Sequence, residues 1–313
     1  EVVRERAWAQ RQESLKAKRG WALVRPSVRR LLEKLRRHGM PLGEYVDGGF
    51  YYGIKTGYNE AFVIDQSKRA KILAEDPHSE ALIEPWLGGR DIDRWRIESG
   101  RKYLIAIQNS DDQGVDNPWA DAQSEERAFA ILRQSYPAIG EHLGHYEGSL
   151  KQRYDQGRFW WELRPCAYYD EFDKPKIVYP DIAKRPEFAY DETGAIGGNT
   201  TYILPTRELF LLGVLNSSTV EFFYRNISSI IRGGYLRFIA SYMERVPIPS
   251  ASRARRKGID VLVRKLLKAK GRGPLAEGWE RELNTLVYKV YGLTHEEIAI
   301  VEEEITSDDR NTR

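Results

Sequence analysis

The stretch from Phe50 to Asp65, FYYGIKTGYNEAFVID, places β-forming residues on both sides of a short polar turn. Residues 50–54 and 61–64 form the two apolar arms, and Gly53 and Gly57 supply the backbone freedom that a tight reversal needs. The pattern predicts a β-hairpin whose tip carries polar, aromatic and cationic side chains together: Lys55, Thr56, Tyr58 and Asn59.

These residue types at the tip suit a protein that contacts nucleic acid. A lysine pairs with phosphate, an asparagine can pair with an adenine edge, and a tyrosine can stack on a base. The alternative is a polar hairpin that covers a core, and the stretch alone leaves both interpretations open.

The composition indicates a soluble globular protein with a large core. The chain has 313 residues, of which 41% are hydrophobic, which is enough for one large domain or two smaller ones. The longest apolar run, residues 209–215, is too short to span a membrane, and the first residues have no apolar signal core. The single cysteine, Cys166, excludes an internal disulfide framework. We therefore expect a cytoplasmic protein with no membrane partner.

The positive charge is concentrated in two segments, although the formal net charge is only +3. Residues 4–37 contain twelve basic and three acidic side chains, and residues 253–272 contain nine basic and one acidic. Such clusters are typical of proteins that bind polyanions. Solvated helix faces are the alternative interpretation.

The pattern along the chain predicts a mixed α/β fold (α+β) followed by helices only. Helices are predicted from Ser27 to Gly39, from Asp65 to Glu75, over 124–154 and over 209–231 with a break near Asn216. Strands are predicted over 103–107, 159–163, 176–179 and 200–204, with a long loop over 108–121. After Pro249 the pattern gives helices over 259–270 and 277–291, then a capping box over 294–297 that opens a last helix.

Catalytic motifs are absent from the sequence. Asn117-Pro118-Trp119 lacks the second proline of an amino-methyltransferase motif, and no glycine-rich cofactor loop occurs. No lysine follows a carboxylate at the two-residue spacing of a common metal-dependent nuclease, and the histidines are scattered. We expect no catalytic residue, no metal site and no cofactor in this chain.

Several separated segments together resemble the TaqI-like C-terminal specificity domain, the target recognition domain of type IIG restriction-modification enzymes and adenine-specific DNA methyltransferases. The matching segments are GIKTGYNEAF from Gly53, PWLGGRDI from Pro85, WELR from Trp161, KPKIVYP from Lys174, LNS from Leu215, IP at Ile248, and VY with YGLTHEEI from Val287. The resemblance covers roughly residues 20 to 305.

The resemblance implies that this chain recognises DNA for a catalytic domain that precedes it. In the family, that upstream domain binds S-adenosylmethionine and methylates N6 of a flipped adenine, while the specificity domain grips duplex DNA. Some members carry a nuclease, and some belong to phage-defence systems. Together with the change to helices only after Pro249 and the polar tail from Ser307, the resemblance predicts four parts: a helical linker from the methyltransferase domain (1–39), the target recognition domain (40–250), a C-terminal helical domain (251–306) and a disordered tail (307–313).

Candidate DNA contacts follow from side-chain chemistry. The hairpin tip supplies Lys55, Thr56, Tyr58 and Asn59, and further base contacts are predicted for Arg158, Glu162, Arg164, Asn199 and Thr200. Phosphate contacts are predicted for Lys176, Lys184, Arg185, Arg232 and Arg237. A structural ion pair between Glu162 and Arg164 is the alternative for those two. The shared tip motif favours backbone contacts over base reading, because members of one family read different sequences.

Two other functions remain open from the sequence. One is a scaffold similar to a specificity subunit, which assembles proteins through its C-terminal helices without reading bases. The other is an accessory domain for RNA modification.

Overall fold

The computed structural model describes residues 25–98 and 101–311, with side chains up to residue 306. The N-terminal basic cluster and the predicted linker lie largely outside the described residues. In the described part of the chain, no helix combines the length and apolar character that crossing a membrane requires.

The helices and strands alternate up to Pro249, after which only helices follow. The helices are α1 (Pro26–His38), α2 (Leu42–Tyr45), α3 (Asn59–Phe62), α4 (Gln66–Glu75), α5 (Glu125–Ser135), α6 (Pro137–Gly144), α7 (Glu147–Leu150), α8 (Asp170–Asp173), α9 (Leu209–Leu215), α10 (Ser218–Arg225), α11 (Ala240–Met243), α12 (Arg253–Lys268), α13 (Pro274–Val290) and α14 (His295–Asn311). Short 3₁₀ turns cover Pro77–Leu82 and Gly89–Asp91.

The strands form several small sheets. They are β1 (Gly39–Pro41), β2 (Tyr51–Tyr52), β3 (Val63–Asp65), β4 (Ile83–Leu87), β5 (Ile92–Asp93), β6 (Arg96–Ile97), β7 (Lys102–Ile105), β8 (Lys176–Pro180), β9 (Ile182–Ala183), β10 (Ala189–Asp191), β11 (Ile196–Gly197), β12 (Thr201–Pro205), β13 (Ile230–Ile231), β14 (Tyr235–Arg237) and β15 (Pro247–Pro249). The sheet orders are β10-β8-β12-β2, β11-β4-β7-β3, β13-β14-β9, β5-β6 and β1-β15.

The sheet β10-β8-β12-β2 separates two hydrophobic cores. On β8, Ile177 and Tyr179 pack into one core and Val178 into the other. The neighbouring strand β12 repeats this arrangement with Leu204 and Ile203. Since successive side chains of a strand point to opposite faces, one buried sheet serves both cores. We call the core with Ile177 the helix-side core and the core with Val178 the loop-side core.

The helix-side core is continuous from α1 to α14. It contains Leu31 of α1, Leu212 of α9, Val263 of α12 and Val301 of α14, all buried. The C-terminal helices therefore pack against elements that precede residue 250. The predicted domain boundary there stays a prediction, and the core crosses it.

The predicted hairpin over residues 50–65 is wrong. Strand β2 pairs with β12, and β3 pairs with β7 in a different sheet. Between them the buried guanidinium of Arg153 donates to the carbonyls of Thr56, Trp160 and Glu162. Burial lowers the pKa of Arg153 to about 10, at which it stays charged at neutral pH. The middle of this stretch is thus held by a long-range contact, and its two strands pair with distant strands instead of with each other.

The predicted strand at residues 159–163 is also wrong, because these residues form turns in the loop-side core. Phe159 and Trp161 stack with ring centroids 4.8 Å apart, and Trp160 meets Trp161 edge to face. The run of aromatic residues favoured a strand in the sequence, but in the structure these side chains pack on one another within turns. The predicted helix over 209–231 ends earlier, since residues 230–231 form β13.

The mixed α/β fold class is confirmed, and so are several helix ends. Asp65 accepts a hydrogen bond from the Lys68 amide and caps α4. The capping box at Thr294 is present, with 2.8 Å from the Thr294 amide to Glu297 Oε2. Asn216 ends α9, as the predicted break requires.

Candidate nucleic-acid interface

A groove of about 1100 Å³ runs between the segment Gly88–Glu98 and the segment Pro180–Glu187. One wall is the 3₁₀ turn and the β5-β6 hairpin, and the other is β9 with the residues that follow it. Asn59, Asn199 and Thr200 close one end. The groove therefore joins four distant segments of the chain on one surface.

Asn199 and Thr200 are held in place by a close crossing of three backbone segments. The Ile54 amide donates to Gly197 O at 2.7 Å, and the Gly198 amide donates to Leu87 O at 2.7 Å. A β-carbon on Gly53 would overlap the carbonyl of Gly198, so the crossing requires glycine at that position. This crossing fixes the turn that presents the two polar side chains.

The contacts of the turn leave the Asn199 side chain available. Tyr52 Oη donates to the Asn199 carbonyl, and the Gly89 amide donates to Thr200 Oγ1 at 2.8 Å. Both residues are exposed, and the Asn199 side-chain amide makes no hydrogen bond to the residues that the structure describes. Its donor and acceptor are therefore available at the groove, which Asn199 lines.

Asn59 lies at the junction of the groove with a neighbouring recess of about 470 Å³, which Lys55, Tyr58 and Asp155 also line. Thr56 Oγ1 donates to Asn59 Oδ1 at 2.6 Å and accepts from the Tyr58 amide at 3.1 Å. This arrangement orients the Asn59 side chain and leaves its amide nitrogen without a protein acceptor in the described part of the chain.

Most acidic side chains of the groove are already engaged. Asp181 binds the Arg237 guanidinium at two positions, each at 3.2 Å. Asp93 pairs with Arg96, and Asp91 Oδ2 accepts from the Gly88 amide at 2.7 Å. Each of these partners reduces the negative charge that the groove presents to a ligand.

Four basic side chains of the groove have no carboxylate within 4.0 Å among the described residues: Arg90, Lys102, Lys184 and Arg185. All four are exposed. Glu187 is an acidic residue that also lines the groove. Burial, and then the nearby negative charge of Asp93, raises the pKa of its carboxyl. The groove thus has a surplus of free cations, the property that binds phosphates.

Five of the predicted DNA contacts meet in this groove or at its end: Asn59, Lys184, Arg185, Asn199 and Thr200. Lys55 and Tyr58 line the adjoining recess. Tyr58 is half-buried, with its ring 6.0 Å from that of Tyr146, so only part of it is available to stack.

Three predicted contacts are wrong because the side chains are buried. Lys176 is fully buried and pairs with Asp191 at 2.6 Å. Glu162 is fully buried and accepts hydrogen bonds from Trp119 Nε1 at 2.8 Å and from the Ser110 amide at 3.2 Å. Thr56 is 2% exposed and binds Asn59. A charged or hydroxyl side chain inside a core needs a polar partner there, and these three have one.

The remaining predicted contacts lie outside the groove lining. Arg158 and Arg164 are exposed and pair with Asp111 and Asp155 at 3.4 and 3.3 Å, so the alternative of a Glu162–Arg164 ion pair is also wrong. Arg232 is exposed near the turn between β13 and β14. Arg237 is held by Asp181 and is not a free cation.

Four further residues that line the groove are not among the contacts predicted from the sequence: Arg90, Lys102, Ile182 and Tyr235. Arg90 follows Gly88-Gly89 in a turn between strands, a signal that was present in the sequence. The other three reach the groove only because β7, β9 and β14 converge there. A local sequence pattern does not predict that three distant strands come together.

The chain is similar to a known domain family and to several type II methyltransferases. The sequence profile of the TaqI-like C-terminal specificity domain matches residues 84–248. The type II methyltransferase M.XhoI of Xanthomonas vasicola is 27% identical over 195 residues, which are 60% of this chain and 33% of that protein. The type II methyltransferase M.PaeR7I of Pseudomonas aeruginosa is 24% identical over 200 residues, 59% of this chain and 31% of that protein.

A solved structure shares the fold. The type IIL restriction-modification enzyme MmeI, solved in complex with DNA, matches with a TM-score of 0.52 and 17% identity over 84% of this chain and 36% of the MmeI chain. The present chain spans about a third of the length of the curated relatives it matches.

Proposed function

The chain belongs to the family of TaqI-like C-terminal specificity domains, and from that premise we propose that it reads the base sequence of duplex DNA for a methyltransferase domain of the same protein. Specificity domains of this kind belong to type II methyltransferases and restriction-modification enzymes. The observation that carries the proposal is the groove in which Lys184, Arg185 and Arg90, which have no carboxylate partner among the described residues, lie with the side-chain amide of Asn199 and the side-chain nitrogen of Asn59.

The two groups of side chains have different tasks. The cations contact phosphates and fix the position of the duplex, which adds affinity on any sequence. The side-chain amide of Asn199 presents a donor and an acceptor together, the pair that matches N7 and N6 of adenine in the major groove. The crossing at Gly53 and Gly198 holds that amide on rigid backbone, as discrimination between bases requires.

The reaction that this recognition serves is methyl transfer to N6 of adenine, with S-adenosylmethionine bound by the catalytic domain. No residue of the described chain is assigned to that cofactor. The protein acts in the cytoplasm, in restriction-modification or phage defence. These statements rest on the family resemblance.

The test measures sequence preference by selecting duplexes from a randomised pool with the wild-type chain and with Asn199→Ala. We expect the variant to lose preference at one or two base pairs, by about 1–3 kcal/mol, because a bidentate contact is removed. Gln152→Ala is the control, since Gln152 is exposed and lies outside the groove lining. Equal binding of all duplexes by the wild-type chain contradicts the proposal.

The same measurement separates phosphate contacts from base contacts. The double variant Lys184→Ala with Arg185→Ala should weaken binding on every sequence alike and reduce the slope of log K against log salt by about two, near 0.9 for each lost contact. Competition with structured RNA decides between this function and an RNA accessory domain, because preference for the RNA supports the latter.

A further inference from the structure

Strands β13, β14 and β9 form a small antiparallel sheet beside the groove. The register pairs Ile231 with Tyr235 and Arg237 with Ile182, whereas Leu236 pairs with Ile230 and Ala183. Residues directly opposite each other in an antiparallel pair share a face, and successive residues alternate. Leu236 and Ala183 are buried, so Tyr235, Arg237, Ile182 and Ile231 lie on the outer face of the sheet.

This outer face exposes two large apolar side chains to the groove. Ile182 is 44% exposed and Tyr235 is 38% exposed, and both line the groove. Covering apolar side chains of this size with a ligand is favourable, because it removes their surface from water. Two such side chains exposed in one basic groove therefore indicate a binding surface.

The surroundings of the two side chains are cationic and favour an anionic ligand. Lys184 Nζ lies 5.6 Å from the centroid of the Tyr235 ring, and the exposed Arg185 follows it. On the other side Arg237 is held by Asp181 through two hydrogen bonds, which fixes β14 against β9. The face is therefore apolar at its centre, cationic at its edge and rigid.

Duplex DNA presents few apolar groups to such a face. In the major groove the C5-methyl group of thymine is the apolar feature that distinguishes one base pair from another. Base faces become accessible only when a nucleotide leaves the stack. The apolar side chains of Ile182 and Tyr235 can contact such a methyl group on an intact duplex, while the neighbouring cations bind its phosphates.

We propose that Ile182 and Tyr235 form a contact site for thymine C5-methyl groups in the recognised sequence, with Lys184 and Arg185 holding the adjacent phosphates. The inference rests on the proposed function and deepens it, because it assigns part of the base reading to apolar contact. It adds a second reading element to the side-chain amides that line the same groove.

The test uses the duplex that the wild-type chain prefers, with each thymine replaced in turn by deoxyuridine, which lacks the methyl group. Removing the contacted methyl should weaken wild-type binding about fourfold, the effect of burying one methyl group. Ile182→Ala should bind the parent duplex more weakly and lose the difference between thymine and deoxyuridine at that position. Val261→Ala is the control, because Val261 is 45% exposed on α12, outside the groove lining.

Two outcomes overturn the inference. The first is wild-type binding that deoxyuridine leaves unchanged at every position. This result needs no variant, so misfolding cannot obscure it. The second is an Ile182→Ala variant that keeps the full preference for thymine over deoxyuridine. In either case sequence-selective binding of the parent duplex shows that the proposed function stands, whereas its absence in the wild-type chain shows that the proposed function itself has failed.

Discussion

Lys176 and Asp191 form an ion pair inside the protein, with exposed side-chain fractions of 0% and 2%. The ammonium group also donates to Phe172 O at 2.5 Å, and Asp191 Oδ1 accepts from the Thr193 amide at 3.0 Å. Both charges are thus compensated where water cannot reach them. Removing one partner leaves a buried charge without compensation, which costs far more than the pair contributes.

Lys176→Met should lower the free energy of unfolding by about 3–5 kcal/mol, because Asp191 stays buried without its cation. Urea denaturation measures this loss. Lys174→Met is the matched control, since Lys174 is 55% exposed and its pair with Glu171 should contribute about 0–1 kcal/mol.

The result distinguishes the buried pair from a DNA contact. A Lys176→Met variant with unchanged stability and a reduced salt slope would restore the phosphate role predicted from the sequence. Replacing Asp191 by Asn in the same variant should recover part of the lost stability, as a pair removed together leaves no lone charge.

At the scale of elements, the β5-β6 hairpin is anchored to helix α13 by its own turn. Trp95 Nε1 donates to Glu280 Oε1 at 2.5 Å, and Arg94 Nε lies 3.3 Å from the same oxygen. Arg94 also donates to Asn216 O, and burial lowers the pKa of its guanidinium. The hairpin forms one wall of the groove, so α13 supports that wall, although no residue of α13 lines the groove.

Glu280→Ala should lower DNA affinity and also lower the free energy of unfolding by about 1.5–3 kcal/mol, the worth of a hydrogen bond to a charged group. The sign of the affinity change is diagnostic. Loss of a negative charge by itself strengthens binding to DNA, whereas a displaced groove wall weakens it.

Glu282→Ala is the control for this experiment, because Glu282 is exposed on the same helix. It should bind DNA as well as the wild-type chain or slightly better. Parallel binding and denaturation curves measure both effects, and equal affinities for the two variants would show that α13 has no part in positioning the groove.

At the scale of the whole molecule, the C-terminal helices complete the helix-side core. A β-carbon on Gly213 of α9 would lie 2.7 Å from Ile259 and 2.9 Å from Val263, both on α12, so the two helices pack without space between them. Lys34 of α1 donates to Gly292 O at 2.7 Å and to Glu297 at 2.5 Å. Elements from both ends of the chain therefore close one core.

Truncation after Ser250 should expose the apolar surface of α9 and abolish cooperative unfolding of residues 25–250. Circular dichroism and size-exclusion chromatography measure the loss. The matched variants are Ile259→Ala, which should cost about 2–5 kcal/mol because Ile259 is fully buried, and Val261→Ala, which should cost less than 0.5 kcal/mol.

A truncated chain that stays monomeric and unfolds cooperatively would contradict this prediction. It would also support the scaffold alternative, in which the helices form a separable assembly module. The continuous core favours a supporting role for them instead.

Local signals explain which elements were predictable. Capping side chains such as Asp65 and Thr294 mark helix ends because they satisfy amide groups within one turn of their own position. The heptad-like apolar spacing of α1 predicts its buried face, which contains Leu31 and Leu35. The candidate contacts Lys184, Arg185, Asn59 and Asn199 were predicted because their chemistry suits DNA, and their common position in the groove was not visible in the sequence.

The sequence by itself determined the family, the mixed α/β class, most helices and the absence of known catalytic motifs, because these depend on residue types at short or ordered spacings. Only the tertiary structure decided that Phe50–Asp65 is divided between two sheets, that Lys176 and Glu162 are buried, and that Ile182 and Tyr235 line the same basic groove. The reason is physical: burial and strand pairing are set by contacts such as those of Arg153, whose partners lie up to 97 residues away.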